Sequence, residues 1–334
     1  MKILLTNYSL SSPGGSETFL YTLACQLRLL NHHVELYSPR LEGIMYNRFL
    51  AAGFPCHNSL TGQEHYDIIH IQHHDPALDV LTHLSHIPIV YTSLGVLPIQ
   101  EHPPAAAIST AKQFIAVSEE VKTMLVNLHG IPEHKIKIIR NGIDVIRFRP
   151  LKPRRRNNRK INILINDRYP EQLNNYITLA GLCRKLPFQF SLLGHYDPKL
   201  QTWLDRHRLP CRLVPPLWNV EKVIQNHDIV IGLGRSALEG MACGKPVIVY
   251  RPGQADGIVT RRNIELIKQC NFSGRYYHQQ WSPKDLIKAI NWVFAKNRYV
   301  VLGKINRSLV VEKFNIAHIA HEFCAIYQWA AANN

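Results

Sequence analysis

The chain has 334 residues, of which 46% are hydrophobic, 19% charged and 9% aromatic. This ordinary globular composition excludes full disorder, collagen and low-complexity classes, and the length suits two domains. The net charge of +15 is uneven, since residues 1–146 carry 9 Lys and Arg against 12 Asp and Glu, whereas residues 147–334 carry 30 against 12. The positive charge therefore belongs to the second half, which makes a polyanionic or phosphorylated ligand of that half worth seeking.

Seven cysteines are scattered without a C-x-x-C pair or zinc-ligand spacing. This pattern favours free thiols in a reducing cytosol over a disulfide framework or a metal site. No apolar run reaches the roughly 18 residues that a membrane span needs, and the N-terminal segment lacks the apolar core of a signal peptide. We therefore expect a cytoplasmic protein, either free or attached peripherally to the inner face of a membrane.

In the first half, short apolar runs alternate with longer amphipathic stretches. A first helix is predicted over Ser16–Leu30 from leucines at helical spacing, and a second over Glu119–Leu128, which Ser118 can cap. The apolar runs predict strands at Ile3–Thr6, Val34–Tyr37, Asp67–Ile71, Ile87–Tyr91 and Phe114–Val117. Strands that alternate with helices imply right-handed parallel units, and so a doubly wound α/β sheet.

A basic segment with two prolines interrupts the alternation, and it reads as an exposed linker. The alternation then restarts with strands at Ile161–Ile165, Gln189–Leu193, Ile229–Ile231 and Val247–Tyr250. Helices are predicted near Asn174–Lys185, from Ser236, and at Lys284–Lys296 and Ile316–Ala331. We expect two Rossmann-like doubly wound domains that face a cleft, over 1–147 and 161–314, with a basic linker over 148–160. A C-terminal helix over 315–334 can pack back on the first domain.

Two glycine-containing loops follow predicted strands and open predicted helices. The first is Pro13-Gly14-Gly15-Ser16-Glu17, and the second begins at Gly232-Leu233-Gly234-Arg235-Ser236. Glycine lets the backbone turn sharply and approach a ligand, and a helix N-terminus offers unpaired N–H groups to an anion. A packed turn is the alternative for each loop. Glu239 lies one turn into the second helix, where its carboxylate could accept hydrogen bonds from sugar hydroxyls.

Longer stretches carry a family resemblance. The stretch "ALEGMACGKPVIV" resembles the C-terminal signature of the retaining nucleotide-sugar glycosyltransferases of family 4, which have the two-domain GT-B fold. The stretch "FIAVSEEVKTMLVNLHGIPEHKIKIIRNGIDVIRFRP" resembles the end of that family's first domain. The "GGSE" loop and "DIIHIQHH" at Asp67–His74 fit the same family, so the resemblance covers nearly the whole chain.

The resemblance implies a role for each matching residue. It implies that Glu239 binds the ribose and that Arg168 neutralises the diphosphate leaving group. Arg235, inside the glycine loop, is a second candidate for that charge. The resemblance also implies donor contacts from both glycine loops and from the N–H groups at the start of the helix predicted from Ser236. The residues concerned are Gly14, Gly15, Gly234, Ser236, Ala237 and Leu238. The implied chemistry is neutralisation of a developing negative charge by fixed positive groups and helix dipoles, without a metal or other cofactor.

Three donor-facing positions depart from the family pattern. A glutamate expected eight positions before Glu239 falls on Ile231, a lysine falls on Leu173, and a histidine after the fourth strand falls on Leu94. Arg235 could supply the charge that Leu173 lacks. These departures also fit a second hypothesis, a catalytically degenerate scaffold that binds a nucleotide sugar or a partner protein. A sugar epimerase of the same fold is a third.

A histidine cluster and the basic run each have a structural as well as a functional interpretation. His70, His73, His74 and Asp75 lie together in sequence, where a metal site is conceivable but packing or a contact with the cleft fits better, and His70 matches a family position there. The run 147–160 has eight cations and no acid, so it can contact an anionic membrane surface or serve as a solvated hinge. Nucleic acid is not expected as a partner, since no recognition motif is present.

The sequence therefore predicts a glycosyltransferase that moves a sugar from a nucleoside-diphosphate sugar to a glycan or lipid-linked acceptor, with retention of configuration. The donor is expected on the second domain and the acceptor on the first.

Overall fold

The structure, a computed structural model, describes residues 1–151, 160–166 and 173–333. The chain divides into two compact units. Unit 1 comprises Met1–Asp144 and Phe314–Asn334, and unit 2 comprises Val145–Lys313. The last helix therefore belongs to the same unit as the N-terminal half of the chain.

The strands are β1 Lys2–Thr6, β2 His33–Tyr37, β3 Cys56–His57, β4 Ile68–Gln72, β5 Ile89–Ser93, β6 Gln113–Ala116, β7 Ile136–Ile138, β8 Ile161–Asn166, β9 Phe188–Leu193, β10 Cys211–Val214, β11 Ile229–Gly232, β12 Val247–Arg251 and β13 Gln254–Ile258. The helices are α1 Gly15–Leu29, α2 Gly43–Ala51, α3 His74–His83, α4 Ala105–Thr110, α5 Glu119–Asn127, α6 Leu173–Leu182, α7 Pro198–Arg206, α8 Val220–Asn226, α9 Gly234–Ala242, α10 Ile264–Ile267, α11 Pro283–Phe294, α12 Arg298–Lys313 and α13 Ile316–Ala332.

Unit 1 is built on a parallel sheet with strand order β3-β2-β1-β4-β5-β6-β7. Its central strands are buried along their whole length, as the continuous apolar runs in the sequence predict. The strand order reverses between β1 and β4, so the chain moves outward in both directions from that point. Such a switch point leaves a crevice at the carboxyl ends of the two strands.

Unit 2 repeats this plan in a sheet with order β10-β9-β8-β11-β12-β13, in which β13 alone is antiparallel to its neighbour. The reversal here lies between β8 and β11, which pair in parallel. The prediction of two Rossmann-like doubly wound sheets is confirmed. None of the described helices combines the length and apolar character that a membrane crossing requires.

The last helix, α13, covers part of the sheet in unit 1. It packs against α1, β4 and β5, and the rings of Phe323 and Phe19 lie 5.9 Å apart. A backbone bridge joins Asn315 to Ile143 at the start of the helix. Buried aromatic contacts therefore tie the two segments of unit 1 together.

The predicted basic linker falls mostly at 152–159, outside the described residues. Arg147, counted in that basic run, is not a solvated cation. Its Nη2 lies 2.9 Å from Glu221 Oε2, and its guanidinium lies 3.8 Å from the centre of the Trp218 ring. This ion pair and cation–π contact fix the beginning of unit 2 to α8.

Candidate functional site

The switch point of unit 2 places an asparagine beside a glycine. Asn166 ends β8 and lies opposite Gly232, which ends β11. Asn166 is 5% exposed, and its Oδ1 atom has no hydrogen-bond partner among the described residues. An orphaned buried oxygen is costly unless a ligand or water satisfies it, so its position at the switch point marks a candidate ligand contact.

The loop between β11 and α9 turns at Gly234, where φ is +50°. The Gly234 N–H donates to Phe272 O at 2.9 Å. Asn271 and Phe272 also have positive φ values of 50° and 55°, which is uncommon for residues with a side chain. Phe272 is buried, so its packing holds this strained segment against the glycine loop.

Helix α9 begins at Gly234, two residues before the predicted start at Ser236. Gly234, Arg235 and Ser236 therefore form the first turn of the helix, and Ala237 and Leu238 follow directly behind it. The diphosphate contacts expected at Ser236, Ala237 and Leu238 stay predictions. The Ser236 N–H donates to Leu233 O at 3.0 Å. The helix therefore starts at Gly234, which is itself one of the predicted donor contacts.

Glu239 and Arg235 form an ion pair across one turn of α9. Arg235 Nε lies 3.2 Å from Glu239 Oε1, and both side chains are 8% exposed. From the sequence, we expected Arg235 to offer its positive charge to the diphosphate leaving group and Glu239 to bind the ribose. The structure instead places the two groups together, so the charge of Arg235 is largely matched before any ligand binds.

The other donor-side positions divide into two groups. Arg168 lies outside the described residues. Ile231 is fully buried in β11, and Leu173, at the start of α6, packs against the hydrophobic core of unit 2. The two departures from the family pattern in this unit therefore contribute apolar packing.

The glycine loop of unit 1 follows β1 and opens α1, whose N-cap residue is Gly14. A Cβ atom on Gly14 would lie 1.9 Å from Glu17 Oε2, so the Glu17 carboxylate folds back over the glycine. Ser16 Oγ donates to the same oxygen at 3.0 Å. At Gly15, a Cβ would meet nothing within 4 Å. The loop thus carries its own negative charge at the helix start, where the dipole favours one.

The switch point of unit 1 also carries orphaned polar groups. Asn7 follows β1 and Gln72 ends β4, and both are fully buried. Asn7 Nδ2 and both amide atoms of Gln72 lack a hydrogen-bond partner among the described residues. The two sheets therefore share a feature that the sequence did not reveal, which is unsatisfied amide groups at the point of strand reversal.

His73 follows Gln72 and forms a pair with Glu101 that sequence reasoning missed. Its φ is +72°, and its Nε2 lies 3.4 Å from Glu101 Oε1. Burial lowers its pKa, but the hydrogen bond and charge of Glu101, with smaller contributions from Glu17 and Asp75, outweigh burial and raise it. Glu101 Oε2 also accepts the N–H of Leu94 at 3.1 Å. In the segment where Leu94 takes the place of the histidine expected from the family, Glu101 therefore lies against a different histidine, His73.

His70 does not face a ligand crevice, which corrects the expectation of a cleft contact. The ring is fully buried. One nitrogen lies 2.5 Å from Tyr327 Oη and the other 2.7 Å from Thr92 Oγ1, and Phe323 stacks on the ring. Burial lowers the pKa of His70 to about 3, so it is a neutral histidine that joins α13 to the sheet. Among the described residues, no group of His, Cys, Asp or Glu is arranged to hold a metal ion.

Comparison with known proteins identifies relatives of this chain by sequence and by fold. The family model for Glycosyltransferase Family 4 matches residues 13–147. This match covers most of the N-terminal segment of unit 1. The resemblance found in the sequence motifs is thereby confirmed, and the chain is a transferase with the GT-B fold. A search of curated proteins finds no match.

Solved structures with the same fold include glycosyltransferases and an epimerase. A glycosyltransferase from Rickettsia africae ESF-5 aligns with a TM-score of 0.71 at 16% identity, covering 100% of this chain and 99% of that one. Anabaena Alr3699/HepE, in complex with UDP and glucose, aligns with a TM-score of 0.73 at 16% identity, covering 98% and 99%. UDP-GlcNAc 2-epimerase from Neisseria meningitidis, bound to UDP-GlcNAc, aligns with a TM-score of 0.61 at 13% identity, covering 100% of both chains. At these identities, the likeness establishes the fold of this chain alone.

Proposed function

We propose that this family 4 transferase moves a sugar from a nucleoside-diphosphate sugar to a glycan or lipid-linked acceptor, with retention at the anomeric carbon. The observation that carries the proposal is the coincidence of glycine loops and orphaned amides at both switch points. Asn166 marks the point in unit 2, and Asn7 and Gln72 mark it in unit 1. Ligands of doubly wound sheets bind at such points, and hydroxyl and phosphate groups can satisfy orphaned amides.

We assign the donor to unit 2. The Anabaena structure holds UDP and glucose, and the Neisseria structure holds UDP-GlcNAc, so two proteins of this fold bind uridine diphosphate or its sugar. In unit 2, Glu239 has two carboxylate oxygens, of which Oε1 faces Arg235. A ribose hydroxyl donates to this carboxylate while the ion pair persists. Arg235 then acts as a positioning residue that orients the carboxylate.

Bond breaking between sugar and phosphate places negative charge on the diphosphate. The start of α9 beside Asn166 supplies the positive end of a helix dipole. Arg168, by resemblance, supplies a full positive charge. Because Glu239 already neutralises much of the charge of Arg235, we assign leaving-group stabilisation to Arg168 and the helix start. No metal is required by this arrangement.

We assign the acceptor to unit 1, where Gln72 and the His73–Glu101 pair lie at the switch point. The orphaned amide of Gln72 offers both a donor and an acceptor to a hydroxyl group. The paired imidazole of His73 is held in one orientation by Glu101. These groups can orient an acceptor hydroxyl.

A non-catalytic nucleotide-sugar binder is the second candidate. Its support is specific, since Ile231 and Leu173 are apolar core residues where the family carries a glutamate and a lysine. Under this alternative, the donor binds through Glu239 and the helix start but the sugar is not transferred.

The test is release of nucleoside diphosphate from a panel of UDP-, GDP- and ADP-sugars, with and without glycan and lipid-linked acceptors. We expect acceptor-dependent release that survives EDTA, and an NMR spectrum of the product that shows the anomeric configuration of the donor. Glu312→Gln, an exposed acid on α12, serves as the control variant. Binding without release across the panel would favour the scaffold, an isomerised sugar without acceptor would indicate an epimerase, and an inverted product would refute retention.

A further inference from the structure

A pocket in unit 1 lies away from the switch point. Its volume is about 580 Å³, and its lining combines three lysines, a histidine, a glutamine and part of α13. The lining residues are Lys112, Gln113, His134, Lys135, Lys137, Ala325, Ile326 and Trp329. Lys112 precedes β6 and Lys135 precedes β7, so the pocket lies near the amino ends of these strands, whereas the switch-point groups lie at carboxyl ends.

The strand register explains why the polar groups converge. Phe114 pairs with Ile136 and Ile115 with Lys137. Side chains alternate between the two faces of a sheet, so Gln113, Lys135 and Lys137 share the face that carries Ile115. Helix α13 lies on this face, and its C-terminal half forms the opposite wall of the pocket.

The charge of this pocket is local. Residues 1–146, which contain all three lysines, carry more acids than cations. Within the described part of the chain, none of the three lysines forms an ion pair with a carboxylate, although the nearby Lys122 pairs with Glu133. Glu322 lies on α13 one turn before the pocket residues Ala325 and Ile326. It does not line the pocket, and burial raises its pKa. A cluster of positive charges in a concave site, without carboxylates that pair with them, attracts anions.

Gln113 supplies a second and independent sign of a ligand. The residue is 5% exposed, and its amide nitrogen has no hydrogen-bond partner among the described residues. A buried amide without a partner is costly. Its side chain lines the pocket beside the lysines, so an anionic oxygen bound there can accept the hydrogen bond that the protein leaves unmade.

The remaining wall is apolar. Trp329 is 48% exposed, and Ile326 and Ala325 extend its surface along α13. Tryptophan next to lysine is the combination that suits the boundary between water and lipid. An apolar wall facing a cationic wall fits a ligand that has both an anionic head and an apolar part.

Lysines on an edge strand also have a structural explanation, because they discourage pairing between sheets. That explanation covers Lys137 on the edge strand β7. It does not cover Lys112, which lies before the interior strand β6, and it does not explain why Gln113 stays buried without a partner.

We infer that this pocket binds the phosphate group of an amphipathic phosphomonoester, with Lys112, Lys135, Lys137 and Gln113 on its oxygens and Trp329 against its apolar part. Several ammonium groups and an amide suit a dianion with three terminal oxygens better than a carboxylate with two. This site is separate from the proposed donor and acceptor sites and does not depend on them.

The test compares two sources of phosphate using the full chain. Flotation measures binding to phosphatidylcholine vesicles with and without phosphatidic acid, and calorimetry measures binding of soluble glycerol 3-phosphate. Lys135→Gln/Lys137→Gln removes two pocket charges, and Lys222→Gln/Lys284→Gln removes two exposed lysines of unit 2 as the matched control. Gln113→Met removes the orphaned amide at similar volume.

We expect the pocket double variant to bind phosphatidic acid vesicles about tenfold more weakly or worse, since each lysine near an anionic surface contributes appreciably. The control double variant should keep nearly wild-type binding, and Gln113→Met should weaken binding while its melting temperature stays equal or rises. Vesicle binding that depends on phosphatidic acid would support the inference, whereas binding of glycerol 3-phosphate without vesicle binding would overturn the amphipathic ligand. Equal losses in the two double variants, or no binding to either probe, would overturn the inference.

Discussion

Glu239 and Arg235 are spaced by four residues on α9, the separation at which helical side chains meet. Both are buried, with 3.2 Å between Arg235 Nε and Glu239 Oε1. A buried pair of this kind is costly to break, because removal of one partner leaves the other charged group without compensation. The pair therefore holds the carboxylate in one place and makes Glu239 available to a ligand in a fixed orientation.

We predict that Glu239→Gln weakens nucleoside diphosphate binding by about tenfold to a hundredfold, because a hydrogen bond to a charged acceptor contributes about 1.5–3 kcal/mol. Titration calorimetry measures the affinity. The double variant Arg235→Met/Glu239→Gln removes both charges of the buried pair, so it should fold better than the single variant and still bind nucleotide weakly. Restored affinity in the double variant would contradict the ribose role of Glu239.

His73 gives the site of unit 1 a pH dependence. Although burial opposes it, the bond to Glu101 raises the pKa of His73, so the folded protein binds this proton more tightly than the unfolded chain does. The resulting stabilisation is present at pH below the ordinary histidine pKa of about 6.5 and is lost as the pH rises through the raised value. Glu101→Gln should therefore lower the pKa of His73, observed in the NMR spectrum of the imidazole.

The same variant predicts a change in stability with a defined sign. The free energy of unfolding of the wild type should exceed that of Glu101→Gln by more at acidic pH than at alkaline pH. Loss of the carboxylate's bond to the Leu94 N–H adds a difference that does not depend on pH. A gap between the two proteins that stays constant across the pH range would show that His73 does not titrate against Glu101.

At the scale of elements, α9 lies close to the sheet because of one glycine. A Cβ atom on Gly240 would lie 2.9 Å from Val230 Cβ and 3.1 Å from its two methyl carbons. The backbone of the helix at Gly240 thus packs directly on the Val230 side chain of β11. This close approach fixes the height of the helix start, and with it the position of Glu239 relative to Asn166.

We predict that Gly240→Ala destabilises the protein by about 1–3 kcal/mol, the usual cost of overpacking a core. The variant should also weaken nucleotide binding, because α9 must shift. Gly181→Ala in α6 is the matched control, since a Cβ there meets nothing within 4 Å, and it should stabilise by about 0.5 kcal/mol through helix propensity. Chemical denaturation measures the change in the free energy of unfolding for both variants. Equal effects of the two alanines would contradict the close packing of α9 on β11.

The sequence predicted the elements with strong periodicity or continuous apolar runs. The strand predicted at Ile3–Thr6 and the capped helix after Ser118 are both present, and Ser118 Oγ accepts the Val121 N–H at 3.2 Å. Edge strand β7 was missed because it has three residues with an exposed lysine in the middle. Helix α12 was missed because apolar residues lie on all its sides, which leaves no amphipathic period to detect.

The site was predictable only where residue type and spacing carry it. The glycine loops and Glu239 stand at the ends of predicted strands or in the helix that follows. The ion pair of Arg235 and Glu239 was detectable from its spacing. The orphaned amides of Gln72 and Asn166 were not, because their burial depends on the register of strands that are distant in sequence.

At the scale of the whole molecule, the location of charge is more informative than its sum of +15. The excess of cations lies in residues 147–334, the part assigned to a diphosphate donor. Within that part, Arg147 and Arg235 are already paired with acids. The three lysines of the unit 1 pocket, which pair with no carboxylate in the described part of the chain, lie in the more acidic half. The net charge by itself would therefore not have located them.

A crystal structure of the protein with a bound nucleoside diphosphate tests the central claim most directly. We predict the diphosphate at the switch point of unit 2, within hydrogen-bond distance of Asn166 or the start of α9, and a ribose hydroxyl on Glu239. Nucleotide bound elsewhere, with Asn166 and Glu239 untouched, would contradict the account.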